Sequence, residues 1–291
     1  MPVATAPVRV CDAGGWTDTW FAGSGFVCSL AVRPGVRVEV TRDVGVTFTS
    51  PRTPLLDATI AEAGATDVRV DVRSHVPPGS ALGTSAAVTV ALLAALGVSR
   101  AELVARAHRV ETVHLGQQSG VQDQAAAAHG GVAALTIDYP DVRRRPIAVP
   151  AAAWRELDRR LLTVFLGEHR SSDVHERVIA DLTADADALE DLRRCARDAA
   201  DALEAGDLRA YGAALSANTD AQAALHPSLV SDDARAVIDA ARAAGALGWK
   251  VNGAGGEGGS VTVVCGDARP TMPVGSVLPL RLSRQGVRVT G

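Results

Sequence analysis

The sequence predicts an α+β fold, and three observations carry that reading. Valines alternate with charged residues at period two in the first half, which marks half-buried strands. Charged, Ala-rich helical stretches are grouped in the second half beside a few strands. Two glycine-dense segments, one in each half, stand next to these elements where tight loops are needed.

Taken in order, Val8 to Asp12 and Val27 to Val32 read as strands. Val36, Val38 and Val40 alternate with Arg37, Glu39 and Thr41, and Val68, Val70 and Val72 with Arg69, Asp71 and Arg73. A Pro-Gly-Ser loop, Pro77 to Ser80, leads into an apolar helix from about Thr84. Ser99 with Glu102 three residues later forms a capping box for a second helix reaching about Leu115. Gln122 to His129 is a short helix closed by Gly130 and Gly131, and Val132 to Asp138 a strand. Arg143 to Arg145 falls in a polar connection among Pro140, Pro146 and Pro150, so a domain boundary is expected near Pro150, giving units 1–150 and 151–291. The second unit should hold a strand over Leu161 to Leu166 and helices around 183–205, 207–223 and 231–244. Strands Trp249 to Asn252 and Ser260 to Cys265 should flank a glycine loop.

The 291 residues are 47% hydrophobic but only 3% aromatic, so the core must be built from Ala, Val and Leu. A net charge of −4 speaks against nucleic acid as the main partner, because such binders carry a basic surface. Cys11, Cys28, Cys195 and Cys265 lie far apart without metal-ligand spacing, and free buried thiols in a reducing cytoplasm are expected. No charged start followed by an apolar run opens the chain, so no signal peptide is expected. The longest apolar stretch, Ala86 to Val98, is too short for a bilayer and contains Thr89 and Gly97, so no membrane association is expected.

Three segments carry candidate chemistry. Pro77-Pro-Gly-Ser-Ala-Leu-Gly-Thr-Ser-Ala-Ala87 places glycines and small hydroxyl residues at a helix start, where open N–H groups and the helix dipole favour an anion. Read alone, it is equally a tight turn feeding a buried helix. It is not a Walker A loop, since no Gly-Lys-Ser/Thr occurs. Lys250-Val-Asn-Gly-Ala-Gly-Gly-Glu-Gly-Gly-Ser260 matches GxGxxG literally at Gly253, Gly255 and Gly258. A strand rather than a helix follows it near the chain end, which excludes a dinucleotide βαβ unit and leaves a backbone nest or a glycine hairpin. Glu111 through Asp123 offers two carboxylates among Gln117, Gln118, Ser119 and Gln122, suited to a metal ligand and a base, or to ordinary surface and cap positions.

Together these segments resemble the GHMP kinase superfamily, named for galactokinase, homoserine kinase, mevalonate kinase and phosphomevalonate kinase. Pro7-Val-Arg-Val-Cys-Asp-Ala-Gly-Gly-Trp-Thr-Asp18 resembles the first motif of its sugar-kinase branch. Pro77 to Ala87 resembles the phosphate-binding second motif, and Lys250 to Gly259 the glycine-rich third. Gly14-Gly15-Trp16-Thr17-Asp18 and Gln122-Asp123-Gln124 look most like D-glycero-D-manno-heptose 7-phosphate kinases and fucokinases, which phosphorylate an anomeric hydroxyl. Gly167-Glu-His-Arg-Ser-Ser172 is similar to a heptose-kinase segment.

The resemblance implies a first domain like ribosomal protein S5 domain 2 and a ferredoxin-like second domain. It implies ATP and Mg2+ as cofactors, a small sugar or sugar phosphate as partner, a cytoplasmic location, and a monomer or homodimer. Asp123 is then the catalytic base and Arg9 its neighbour near the reacting phosphate. Pro78, Gly79, Ser80, Leu82, Gly83, Thr84 and Ser85 wrap the nucleotide phosphates. Ser85 and Glu111 hold Mg2+, and Gly253, Gly255 and Gly256 support the site from the second domain. Asp18, Gly15, Trp16 and Thr17 bind the sugar, with Arg170 a candidate for a substrate phosphate. A kinase for another small alcohol (galactose, homoserine or mevalonate type) and a non-catalytic sugar and ATP sensor are the competing readings.

Two positions depart from the family pattern. Ala81 replaces a glycine and should fit with negative φ. Glu257 replaces another and must point away from a triphosphate or meet a cation. His169, Asp173, His175 and Glu176 are metal-binding types without zinc-helix spacing. His108 and His114 are expected to pack or hydrogen-bond rather than ligate.

Overall fold

The computed structural model describes residues 1–169, 174, 178–179 and 186–291. Strand β1 (Val3–Ala13) pairs antiparallel with β2 (Ser24–Arg42), which is the spine of an eight-stranded sheet. Residues 36–42 of β2 pair with β4 (Val68–Ser74), on whose other side the short β3 (Val46–Phe48) runs parallel, and residues 24–30 pair with β5 (Val132–Asp138). The two valine-rich stretches expected as separate strands are therefore one. The Arg33-Pro34-Gly35 interruption is absorbed by an irregular register, in which Ala6 faces Val36 and Val8 faces Val32. Gly35 is needed there, because a Cβ would lie 2.2 Å from the Ala6 carbonyl oxygen.

Helix α1 (Pro54–Ala63) starts with the Thr53 hydroxyl accepting from the Leu56 N–H and with Pro at its first position, a start signal that the sequence does carry. Helix α2 (Thr84–Ala95) is buried almost all round, as its unbroken apolar composition demands. The expected capping box at Ser99 does not form. The Ser99 hydroxyl bonds the Glu102 carboxylate instead, and α3 (Leu103–Arg109) begins after it without a side-chain cap. The helix then continues as a π turn, Val110–His114, which carries Glu111 into the interior. Arg143 to Arg145, expected in a connection, belong to strand β6 (Asp141–Pro146), which among the described residues pairs only with β5. An edge strand tolerates such charge.

A second, four-stranded sheet contains β7 (Leu161–Gly167), β8 (Gly248–Val251), β9 (Gly259–Val264) and β10 (Ser276–Leu278), with helix Asp232–Ala243 packed on it. Helix Ala186–Ala205 packs on the first sheet and delivers Ala196, Ala199 and Leu203 to the main core. The last strands also return there, Arg281–Leu282 to β2 and Arg288–Thr290 to β1. All four cysteines are free and buried. Among the described residues no helix is long and apolar enough to cross a membrane.

Candidate active site

The end of β1, the 79–85 loop, the π turn and the start of α4 (Gln122–His129) enclose a cavity of about 340 Å³. The Gly253–Ala254 turn of the second sheet closes it.

The 79–85 loop is shaped by left-handed residues at Gly79 (φ 65°), Ala81 (φ 58°) and Gly83 (φ 71°). Ala81 thus keeps the glycine-type conformation, contrary to the negative φ expected for it. It is held there because its carbonyl accepts from the Arg9 guanidinium while the adjacent Leu82 carbonyl accepts the Arg9 backbone N–H at 3.0 Å. Gly79 is required by contact, since a Cβ would come 2.6 Å from the His169 nitrogen. Helix α2 begins directly after Gly83 with no side-chain cap, so its first-turn N–H groups are open to the cavity. The Ser80 and Thr84 hydroxyls are buried without a hydrogen-bond partner. Unsatisfied buried hydroxyls are unfavourable, and an oxygen-rich anion seated on this helix start satisfies both them and the N–H groups. The loop therefore fits a nucleotide triphosphate.

Facing the loop, the Arg9 Nε donates to Asp123 Oδ1 at 2.8 Å and its Nη2 to Oδ2 at 3.3 Å. Burial alone would lower the Arg9 pKa, but the charges of Asp12 and Asp123 raise it above its ordinary value, so the guanidinium stays charged. Gly83 leaves room for the carboxylate: a Cβ there would sit 2.9 Å from the Asp123 carboxyl carbon.

Glu111 accepts hydrogen bonds from Ser85 Oγ (3.0 Å), Ser119 Oγ (2.6 Å) and Gln124 Nε2 (2.7 Å). Burial pushes its carboxyl up to about 7, with the Ser119 bond opposing and the Asp123 charge adding to the shift. A carboxylate and a hydroxyl are hard oxygen donors, and a nearby cation relieves the burial of the charge. This donor pair fits Mg2+, which uses few protein ligands beside phosphate oxygens and water.

Asp18 sits at the start of α4, where it accepts from the Gln122 N–H (3.2 Å) and Gln122 Nε2 (3.4 Å). Burial, then the Asp123 charge, raises its carboxyl to about 6. Gly120 lies against it, and a Cβ there would come 2.0 Å from Asp18 Oδ2. Trp16, at φ 80°, lines the cavity and donates its indole N–H to the Ala254 carbonyl at 3.2 Å.

Other expected site residues stand away from the cavity. The Thr17 hydroxyl closes its own turn on the Gly14 carbonyl at 2.7 Å, and Gly15 packs on Asp12. Pro78 is exposed outside it. Of the third motif, Gly253 and Ala254 line it. Gly255 and Gly256 pack around Leu229, the Gly256 N–H donating to the Leu229 carbonyl at 3.0 Å. Glu257 is exposed and does not line the cavity. Arg170, like Asp173, His175 and Glu176, lies outside the described residues.

His108 meets the Ser119 carbonyl and the Tyr139 hydroxyl, while His114 meets Glu62. Thr19 and Gly120, which follow Asp18 and Ser119 in sequence, also line the cavity, and Asp12 holds the Gly253 turn that closes it; none of the three stands out in the sequence.

Residues 54–131 match the GHMP kinases N-terminal domain. The chain is 28% identical over 211 residues to a bifunctional fucokinase/GDP-fucose pyrophosphorylase of Arabidopsis thaliana, covering 56% of this chain and 20% of that one. It is 31% identical over 254 residues to a galactokinase of Streptomyces coelicolor, covering 70% of this chain and 63% of that one. The chain thus spans a fifth to somewhat under two thirds of these relatives' lengths. Its fold matches that of a D-glycero-D-manno-heptose 1-phosphate kinase from Bacteriodes thetaiotaomicron with a TM-score of 0.78 at 18% identity, over 100% of this chain and 99% of that one. The ordered motifs, the matched N-terminal domain and the shared architecture agree: the chain carries a GHMP kinases N-terminal domain within a GHMP kinase fold.

Proposed function

We propose that this protein is an ATP-dependent sugar kinase that phosphorylates the anomeric C1 hydroxyl of a heptose 7-phosphate or a fucose-like sugar. The observation that carries the reading is the Arg9–Asp123 pair, set between an uncapped helix start and Asp18 in one cavity. Similarity to a fucokinase and to a heptose phosphate kinase supports a sugar as the acceptor.

Phosphoryl transfer asks mainly for alignment and charge neutralisation. Residues Gly79 to Ser85 would hold the nucleotide phosphates, and Ser85 with Glu111 would hold Mg2+. When bound, Mg2+ supplies neutralisation of phosphate charge. Asp18 would accept hydrogen bonds from sugar hydroxyls, with Trp16 beside it. Asp123 would take the proton of the attacking hydroxyl at its carboxylate, oriented by Arg9. An anomeric hydroxyl is more acidic than an ordinary alcohol, so the base has less to do. We assign these roles within a division at residue 150, with His169 and the Gly253–Ala254 turn contributed by the second unit.

The test is incubation of the purified protein with Mg-ATP and a panel of sugars and sugar phosphates, with phosphorus NMR of the product. A new phosphate at C1 is the expected result. A phosphate on a primary carbon overturns the proposed position, and nucleotide binding without transfer to any sugar overturns the kinase reading in favour of a sensor.

A further inference from the structure

Asp12 has no place in the reaction as described, yet it is fully buried at 0% exposure. Both its carboxylate oxygens accept the Gly253 N–H, at 3.1 and 3.0 Å, across the junction between the first sheet and the third glycine motif. Its Oδ1 also stands 3.8 Å from Arg9 Nη1. The opposite edge of the same guanidinium holds Asp123. Gly15 is shaped around it as well, for a Cβ there would lie 2.8 Å from Asp12 Oδ2.

A backbone N–H is satisfied by any neutral oxygen, whereas a buried carboxylate is strongly unfavourable unless cations answer it. The buried Arg9 guanidinium does so here, its Nη1 3.8 Å from Asp12 Oδ1. Asp12 is therefore tied both to the cation that grips Asp123 and to the glycine loop that closes the cavity.

We infer that Asp12 is a positioning residue, which sets the Arg9 fork on Asp123 and makes that setting depend on the Gly253 turn being seated. The catalytic part of this inference rests on the kinase reading above, while its structural part does not. When Gly253 is docked on Asp12, the carboxylate is held on the side of Arg9 away from Asp123. The guanidinium is then pulled from two sides and from the Ala81 carbonyl, which leaves it one orientation.

Asp12→Asn tests this, because the amide keeps the shape and an acceptor for Gly253 but loses the charge. The Arg9 Nε–H proton, assigned by its disappearance in Arg9→Lys, is followed by proton–nitrogen NMR without substrate. It should exchange with water at least about tenfold faster in the variant, as expected when a protected group is released. With sugar and Mg-ATP, kcat should fall by roughly 10- to 100-fold while both KM values stay within about twofold, the pattern of a contact that acts only in the transition state.

If melting shows that Asp12→Asn does not fold, Gly15→Ala replaces it, since its new methyl displaces the carboxylate without removing its charge. An unchanged Arg9 Nε–H signal in the folded variant overturns the inference, as does a raised KM with unchanged kcat. A wild-type protein that transfers phosphate to no sugar but still shows the Asp12-dependent Arg9 signal sinks the kinase proposal and leaves the positioning of Arg9 standing.

Discussion

Arg9 and Asp123 are 114 residues apart in sequence and meet through two hydrogen bonds, Nε to Oδ1 at 2.8 Å and Nη2 to Oδ2 at 3.3 Å. Arg9 is buried, while the Asp123 side chain remains 26% exposed toward the cavity. The pair thus joins a rigid cation to a carboxylate that a substrate can reach.

Asp123→Asn should keep the fold and Mg-ATP binding but lower turnover by about 10²–10⁴-fold, the usual worth of a general base. Glu111→Gln should differ, because it weakens a metal ligand and raised Mg2+ should restore part of its rate. Initial rates of both variants across a Mg2+ titration, with sugar saturating, separate the two roles. Near wild-type turnover in Asp123→Asn would remove it as the base.

Two glycines should act on different substrates. A methyl at Gly83 would press on the Asp123 carboxyl carbon at 2.9 Å, and the residue sits at φ 71°. Gly83→Ala should therefore reduce kcat as well as stability, the latter by about 1–2 kcal/mol from left-handed strain. A methyl at Gly120 would meet Asp18 Oδ2 at 2.0 Å. Gly120→Ala should impair sugar use while calorimetric affinity for an ATP analogue stays near normal. An equal loss of nucleotide affinity would place Asp18 in the phosphate site.

Asp18 should leave a mark on the pH dependence of stability. Its folded pKa is raised by burial from 3.8 to about 6. Between those values the native state holds a proton that the unfolded chain has lost, so stability declines as pH rises through the window. The full effect is roughly 3 kcal/mol at most, from about 1.4 kcal/mol per pKa unit. Glu111, raised from 4.5 to about 7, acts in the same direction, so the comparison must be with a variant. Thermal midpoints between about pH 4 and 7 should fall less steeply in Asp18→Asn than in the wild type. Parallel curves would show that Asp18 does not titrate there.

Ala81 holds a left-handed conformation at φ 58°. Ala81→Gly should relieve about 1–2 kcal/mol of strain and give back about 0.5–1 kcal/mol in chain entropy, a net gain of roughly half a kcal/mol. The denaturant midpoint should rise slightly, and a lower midpoint would show that the methyl's packing outweighs the strain.

The sequence by itself determined the α+β class, the strands with period-two valines, the buried helix at Thr84 and the three motifs, because these depend on local periodicity and glycine chemistry. It also singled out Arg9, Asp18, Glu111 and Asp123, which the fold brings to one cavity. Tertiary structure decided the rest. The pairing of β2 with β1, β4 and β5 carries the chain through Pro34, where local reading sees a break. Hydrogen bonds from Arg9 hold Ala81 in a conformation that its own preferences oppose. The π turn that buries Glu111 follows from its three hydrogen-bonding neighbours rather than from helix periodicity. Asp12 acquires its significance only when Gly253, 241 residues later, docks on it. Such contacts depend on which distant atoms fill a space, and no local pattern in the chain encodes that.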